Sequence, residues 1–435
     1  MENPKNTQSE SFRLTENMNR VQENNLSSIK KQAPDRYKWE LLALLWLAFF
    51  LNQADRQIFS VVLPLIKTDL GLSDEELGLI ASALIWTYGL LVPVAGFLGD
   101  RFSRKRIIGF SLIFWSIATL STGFCATVLQ FVLLRGIATG GGEAFYAPSA
   151  NALISQNHKT TRSFALSLHQ SAVYIGIVLS GLIAGYIGET YGWQKAFFVF
   201  GAFGIIVGIV LLIRLRKDIP EAGPQKLEIA KTAAIIFRKP TAVLLTLGFA
   251  CMVFVNVGYL TWMPSFIGSK FNLSLAEAGF NSLFYHHAGA IIGVLIGGKL
   301  ADKLSLKDRK ARLLVQGVSL LLASPFIYWM AAGDSEAATY FALFAFGVFR
   351  GAYDSNIFAS LYEVVPVQIR SSASGLMLMG AFLVGAFSPY LLGVLKPTLG
   401  MATGLSLLSL VYVLGGAMIV AAALLFFKKD SVELD

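Results

Sequence analysis

The feature that most limits this chain is a succession of apolar runs, each about 20 residues long, the length that crosses a bilayer, joined by short polar loops. Hydrocarbon offers no water to satisfy backbone N–H and C=O groups. Only helices and closed barrels can therefore span it. The runs here are continuous rather than alternating, which predicts helices. Twelve can be read, near 39–64, 76–98, 107–126, 128–150, 163–187, 195–214, 241–267, 277–301, 312–331, 338–362, 371–395 and 402–427. Charged residues make up only 14% of the 435, where a soluble chain carries roughly 25%. The expected fold class is an all-α membrane protein of twelve transmembrane helices in two six-helix repeats.

The net charge of +9 does not point to nucleic acid. Lys and Arg sit in short loops between apolar runs, the distribution of the positive-inside rule. With the N-terminus inside, the outer loops hold only Lys67, Lys195, Lys270 and Lys396, and most other basic residues fall on the inner side. This predicts a multi-pass protein of the cell (inner) membrane with both termini cytoplasmic. Residues 1–38 are polar, with no apolar h-region of a signal peptide, and read as a disordered cytoplasmic tail. The polar stretch 215–240, with Pro220 and Pro224, reads as a cytoplasmic linker between a first half, 39–214, and a second half, 241–427, with 428–435 a short cytoplasmic tail. Cys125 and Cys251 lie in apolar runs without metal-ligand spacing, and neither a metal nor another cofactor is expected.

The halves repeat. Gly96-Phe97-Leu98-Gly99-Asp100-Arg101 closes the second run, and Gly298-Lys299-Leu300-Ala301-Asp302-Lys303 closes the eighth, 202 positions later. Arg135 and Arg350 are 215 apart, and Arg162 and Arg370 are 208 apart. A near-constant offset implies two parallel repeats, an arrangement in which substrate binds near the midplane between them.

The first of these loops, continued through Ser103, Arg104 and Lys105, resembles the signature loop of the major facilitator superfamily. Ser103 stands where that pattern has Gly. The resemblance extends over 39–427. It implies a secondary transporter in which Gly96, Asp100, Arg101, Arg104 and, in the second copy, Asp302 act in gating. The glycines would allow close helix contact. Asp100 would face a helix N-terminus near Ser371 and Ser372.

Charges inside spans are costly and mark function. Asn52, Asp55 and Arg56 share one face of the first helix, being spaced i, i+3 and i+4. The fourth helix carries Arg135, Thr139 and Glu143, and the tenth Arg350 and Asp354. His169, Gln170 and Tyr174 lie in the fifth, Asn256 and Tyr259 in the seventh, His286 and His287 in the eighth. The Asn-x-x-Asp-Arg run and the Arg…Gly-Glu-Ala run are similar to those of the anion:cation symporters and of the Spinster-like carriers. The symporter resemblance implies that Arg56 holds an anionic substrate. It further implies that Asp55 and Glu143 couple protons, with Arg135 tuning Glu143. Asn52, His169, Gln170, Tyr174, Asn256, Tyr259 and His286 are the further candidates for the substrate site. Arg350 and Asp354 read as a pair that neutralises itself along one helix.

Arg135 and Glu143 are eight residues apart, where the relatives have seven. On a regular helix seven residues turn about −20° and eight about +80°. The run Gly140-Gly141-Gly142 offers a place for a bulge that would absorb the extra residue. Arg56 finds no obvious partner in its own chain, since Asp55 beside it diverges by about 100°.

These readings favour a proton-driven symporter of a small organic anion, a sugar acid first. The partners would be the substrate, protons and membrane lipids, with no nucleic acid, and the protein would act as a monomer. The alternative is a Spinster-like carrier or exporter of amphiphilic lipids or drugs. An embedded enzyme is disfavoured, because no Ser–His–Asp, His-Glu-x-x-His or paired-metal pattern falls in the spans. A receptor would have no use for two repeats with latch loops.

Overall fold

A computed structural model describes residues 36–216, 229–366 and 369–432. The side chains of Asp100, Ser163, Ser371 and residues 229–231 are outside that description. The N-terminal tail through residue 35 and residues 217–228 of the linker also lie outside it. The described part of the linker contains a short helix, Ile229–Phe237.

Twelve spans follow in order. They are α1 (Arg36–Leu70), α2 (Asp74–Arg101), α3 (Arg104–Thr122), α4 (Val128–Phe131, Val132–Thr139, Gly140–Ala144 and Tyr146–Asn157), α5 (Arg162–Tyr191) and α6 (Trp193–Arg214). The second half has α7 (Pro240–Phe271), α8 (Leu275–Ser305), α9 (Ala311–Ala332), α10 (Glu336–Asp354 and Ile357–Tyr362), α11 (Arg370–Gly385 and Phe387–Leu399) and α12 (Met401–Ala421 with its continuation to Asp430). The described residues form an all-α membrane fold. Eight spans qualify for crossing a bilayer by length and apolarity alone. The other four are α1, α3, α4 and α10. Three of them carry the intramembrane charges, and α3 opens on Arg104-Lys105-Arg106. The helices that hold the polar groups are thus the ones that composition alone describes least well.

The starts are written locally. Ser73–Glu76 opens α2, Thr127–Gln130 opens α4 and Ser274–Glu277 opens α8, each a capping box in which side chain and backbone satisfy one another. Gly192 and Gly400, at φ 91° and 77°, turn the chain between α5 and α6 and between α11 and α12, where a side chain would be strained.

The two halves meet at the end remote from both termini. There α5 crosses α8 so closely that a Cβ on Gly181 would lie 2.6 Å from the Gly279 carbonyl oxygen. On the other side α2 meets α11, where a Cβ on Gly78 would lie 2.4 Å from the Pro389 carbonyl oxygen. Polar contacts tie the same end. Lys396 Nζ lies 2.7 Å from Asp74 Oδ1, the Tyr390 hydroxyl donates to Glu75 at 3.0 Å, and Leu275 N donates to Glu189 at 3.2 Å. Toward the termini such close approaches between the halves are absent among the described residues. Gly96 on α2 and Gly375 on α11 have nothing within 4 Å of a Cβ, and Leu90 and Val94 are exposed. The molecule is closed at one end and open at the end that carries its termini.

Gly96 therefore makes no close helix contact in this state, contrary to the expectation for the latch loop, because the halves stand apart there. Gly99 does approach α4, at Ser149 Oγ. Arg101 stacks over Phe97 at 4.0 Å, and Arg104 donates to the Gly99 carbonyl at 3.2 Å. Asp302, in the second copy, pairs with Arg312 at 2.9 Å, and Arg312 lies 3.5 Å from Glu363. The expected contact of Asp100 with the start of α11 lies outside the described side chains.

Because the closed end rests on glycine contacts, a branched side chain there should pry it open. Gly181→Val is expected to add a longer component to the distance distribution between spin labels at Tyr191 and Leu399, in a background lacking Cys125 and Cys251. An unchanged distribution from double electron–electron resonance would contradict the assignment of this contact as the closing one.

Candidate functional site

Between the halves lies a cavity of about 470 Å³, within the range of small-molecule sites. Its wall takes residues from α1, α2, α4 and α5 on one side and from α7, α8, α10 and α11 on the other. Most of that wall is apolar, but it includes three arginines, Arg56, Arg135 and Arg350, and one acid, Asp354.

The first-half charges form one cluster. Arg56 Nε donates to Glu143 Oε2 at 2.7 Å, and the guanidinium stacks on the Tyr88 ring at 4.1 Å. Arg56 faces the cavity, while the Glu143 side chain is fully buried behind it. Arg56 thus has a partner within the chain, which corrects the sequence expectation. Helical spacing along α1 could not show a carboxylate arriving from α4. Arg56 Nη2 and Glu143 Oε1 make no hydrogen bond with described residues.

Arg135 donates through Nη2 to the backbone oxygen of Asp55 and not to Glu143. Direct tuning of Glu143 by a bonded Arg135 is therefore not how this structure is arranged. Both side chains face α1, yet they take different groups on it. Asp55 is buried and accepts from Thr119 at 3.0 Å. The Asn52 side chain reaches the Glu143 backbone oxygen at 3.5 Å and accepts from Gln53 at 2.9 Å. The Thr139 hydroxyl bonds the Leu134 carbonyl and does not reach Glu143. Asp55, Arg56, Arg135 and Glu143 sum to zero charge, the condition for burying four ions in an apolar environment.

The bulge that the eight-residue spacing calls for is present, but earlier than the glycines. Val132–Thr139 is a π-helical stretch with Arg135 inside it. Such a stretch accommodates an extra residue without breaking the helix. The glycines serve packing. A Cβ on Gly140 would lie 2.6 Å from the Leu84 oxygen, and one on Gly142 would lie 2.8 Å from Trp115 Cβ. They let α4 sit hard against α2 and α3 while Glu143 reaches α1.

The second half holds a different group. Arg350 Nη1 donates to His286 Nε2 at 3.0 Å, and Arg350 Nη2 lies 3.4 Å from Asp354 Oδ2. Arg350, Asp354 and His287 line the cavity. The His287 ring packs edge-on to Tyr174 at 5.8 Å. Of the substrate candidates read from sequence, Arg56, Gln170, Tyr174 and Asn256 line the cavity wall. Four others do not. Asn52 is behind Arg56. His169 is stacked on Phe49 at 4.7 Å and bonded to the Tyr146 hydroxyl at 2.9 Å. Tyr259 bonds the Ser282 carbonyl, and His286 lies between Tyr259 and Arg350. Sequence reading passed over Gln57 and His287, both in the wall. For His287 the periodicity of α8 was the available signal, since adjacent histidines point apart and either could have been the inward one. Among the described residues, no group of three or more His, Cys, Asp or Glu is placed to hold a metal ion.

The profile of the Major Facilitator Superfamily matches residues 45–389. The chain belongs to this superfamily. It is a transporter and not an enzyme. It is 28% identical to Protein spinster homolog 1 of Xenopus tropicalis, over 91% of this chain and 82% of that one. It is 27% identical to the "Probable galactarate/D-glucarate transporter GudP" of Escherichia coli K12, over 94% and 97%. Its fold is similar to that of a bacterial homolog of the human lysosomal transporter Spinster in an inward-facing, unoccupied conformation. There the TM-score is 0.82 at 22% identity, covering 93% of this chain and all of that one.

The Arg56–Glu143 pair predicts a stability effect. Removing one member strands the other charge in the interior, which costs about 3–5 kcal/mol. Glu143→Ala should accordingly lower the thermal unfolding midpoint well below that of the Arg56→Gln/Glu143→Gln double variant. Equal midpoints would show that the pair is not the buried interaction drawn here.

Proposed function

We propose that this transporter carries a small organic anion, a sugar acid first, together with protons by alternating access. The observation that supports this reading best is the Arg56–Glu143 pair at 2.7 Å, with Arg56 in the cavity wall and Glu143 buried behind it. One guanidinium there can serve two carboxylates, that of Glu143 and that of a substrate. Arg presents a fork that fits a carboxylate bidentately. While Glu143 is ionised it holds Arg56. When Glu143 takes up a proton its grip weakens, and Arg56 is free to close on the substrate. Loss of the proton on the other side of the membrane restores the pair and expels the anion. Asp55, buried one residue away, is the second proton carrier in this scheme, with Arg135 fixing the backbone on which it stands. The driving force is the proton gradient, without a cofactor.

The halves would rock about the midplane site, as repeat-built transporters do. The distribution of Lys and Arg supports cytoplasmic termini, and on that reading the state described here is inward-facing. We place the protein in the cell (inner) membrane as a monomer. Likeness to spinster homolog 1 supports a second reading, a carrier of amphiphilic lipids. Three arginines against one acid in the wall speak for an anion instead.

Two variants test the scheme in proteoliposomes supplied with sugar acids, neutral sugars and lysolipids. Arg56→Lys keeps the charge but loses the fork, and should weaken binding of the transported anion at least tenfold, since one lost bidentate contact is worth about 1.4 kcal/mol or more. Unchanged affinity in an active variant would sink the role of Arg56. Glu143→Gln mimics the protonated acid. It should abolish accumulation driven by an imposed pH gradient while keeping binding and substrate exchange. If accumulation and exchange fall together, or neither changes, Glu143 is structural.

A further inference from the structure

Three atoms of the cavity wall are buried hydrogen-bond acceptors with no partner among the described residues. They are Asp354 Oδ1, Asn256 Oδ1 and Gln57 Oε1. His287, also in the wall, offers a further acceptor, which is not one of these buried unpartnered atoms. Its Nδ1 lies 2.7 Å from the Leu283 carbonyl oxygen and must donate to it. The neutral ring then presents Nε2 as a lone pair. A buried acceptor left unmatched costs about 1–3 kcal/mol. Whatever fills the cavity therefore has to bring donors.

Arg350 and Asp354 do not behave as a sealed pair. Their nearest ion contact, 3.4 Å, is not a hydrogen bond, and Arg350 Nε and Asp354 Oδ1 are both unpartnered. An i, i+4 pair that served only to neutralise itself would close to bonding distance and turn from the cavity, and this one lines the wall. His286, bonded to Nη1, holds the guanidinium toward α8 and keeps it from folding onto Asp354. The result is a donor and an acceptor side by side and half-open.

We infer that Arg350 and Asp354, with Asn256, Gln57 and His287, form a second subsite that reads hydroxyl groups on the body of the substrate. Adjacent hydroxyls suit it. Arg350 donates to one oxygen, and Asp354 accepts from the hydroxyl hydrogens, as do Asn256 and His287. A hydrocarbon tail would leave all of these acceptors unmatched. The subsite rests on the proposed reading of Arg56 as the carboxylate anchor, and it supplies the discrimination that one carboxylate contact cannot. A site built to bond a hydroxyl rejects the analogue that lacks it far more strongly than an apolar pocket rejects a missing methylene.

The test is binding to the purified full-length transporter of gluconate, galactonate and galactarate against hexanoate and adipate, their hydroxyl-free counterparts, with sorbitol as the uncharged polyol. At least one hydroxylated acid should bind at least tenfold more tightly than its counterpart. Asp354→Asn should remove most of that preference and leave the weak binding of hexanoate and adipate in place. Asn256→Leu leaves the ion pair intact and should reduce the same preference, which keeps the test open if Asp354→Asn does not yield a monodisperse protein. If no hydroxylated probe outbinds its counterpart, or if both variants keep the full preference, the subsite is wrong. The two readings fail differently. Binding of acids that depends on Arg56 but ignores hydroxyls and Asp354 overturns the subsite alone. Sorbitol binding equal to that of the acids, sensitive to Asp354→Asn and not to Arg56→Lys, supports the subsite and overturns the anion reading.

Discussion

A guanidinium in the membrane interior needs an anion or a carbonyl oxygen to stand against, and the placement of Arg56 sets the terms for much of this structure. The cost of an isolated charge there is several kcal/mol. Glu143 answers it from another helix, at 2.7 Å. To bring that carboxylate to α1, α4 must run close to α2 and α3 and must turn Glu143 to the correct azimuth. The glycine run achieves the first and the π-helical stretch the second. Arg135 inside that stretch is then steered past Glu143 to the Asp55 backbone oxygen. The irregular helix is a consequence of the ion pair that it serves.

The same close approach, through glycine, decides which end is shut. At the closed end backbone lies on backbone at Gly181 and Gly279 and at Gly78 and Pro389. Contacts of this kind depend on shape, and they release together when two rigid bodies tilt. The ion pairs and hydrogen bonds beside them, at Lys396–Asp74 and Tyr390–Glu75, sit at the rim and add selectivity of register more than strength. In the proposed cycle this end is the one that must open to the outside.

Much of the fold was legible because the bilayer leaves so few options. The length of the apolar runs, the bias of Lys and Arg, and the repeated loop at 96–101 and 298–303 each speak to architecture without any knowledge of contacts. The site was legible only as a set of residues. Spacing along one helix shows that Asn52, Asp55 and Arg56 share a face. It cannot show what arrives from the next helix, and so Arg56 looked unpartnered. Nor could it choose between His286 and His287. That choice depends on the rotation of α8, which Gly289, Gly293 and Gly297 fix by letting α10 press its backbone against them. The extra residue between Arg135 and Glu143 was readable as an irregularity, but the glycines attracted the guess. Flexible residues mark where a helix can bulge, while the π turns formed one step earlier, where Arg135 needed to be redirected.

Arg135 and Arg350 lie in corresponding helices of the two halves, α4 and α10, but at different depths, 8 residues after the cap Thr127 and 15 residues after the cap Ser335, and their surroundings differ as well. The first is tied to a backbone oxygen of α1 and helps to hold a buried carboxylate cluster. The second shares its own helix with Asp354, from which it stands 3.4 Å away at the cavity wall. In the proposed scheme a cluster whose formal charges balance suits the storage and release of protons, since a change in the charge of one member is felt by its buried neighbours. A pair that is loose and open suits recognition, because its free donors and acceptors are met only by a ligand of matching pattern. If both tasks fell to one half, each protonation event would also alter the reading of the substrate. In the proposed cycle, splitting them across the cavity makes the substrate itself the link. It would touch Arg56 to sense the proton and Arg350 to be recognised, and a molecule that reached only one of them would lack a hold on both rocking bodies.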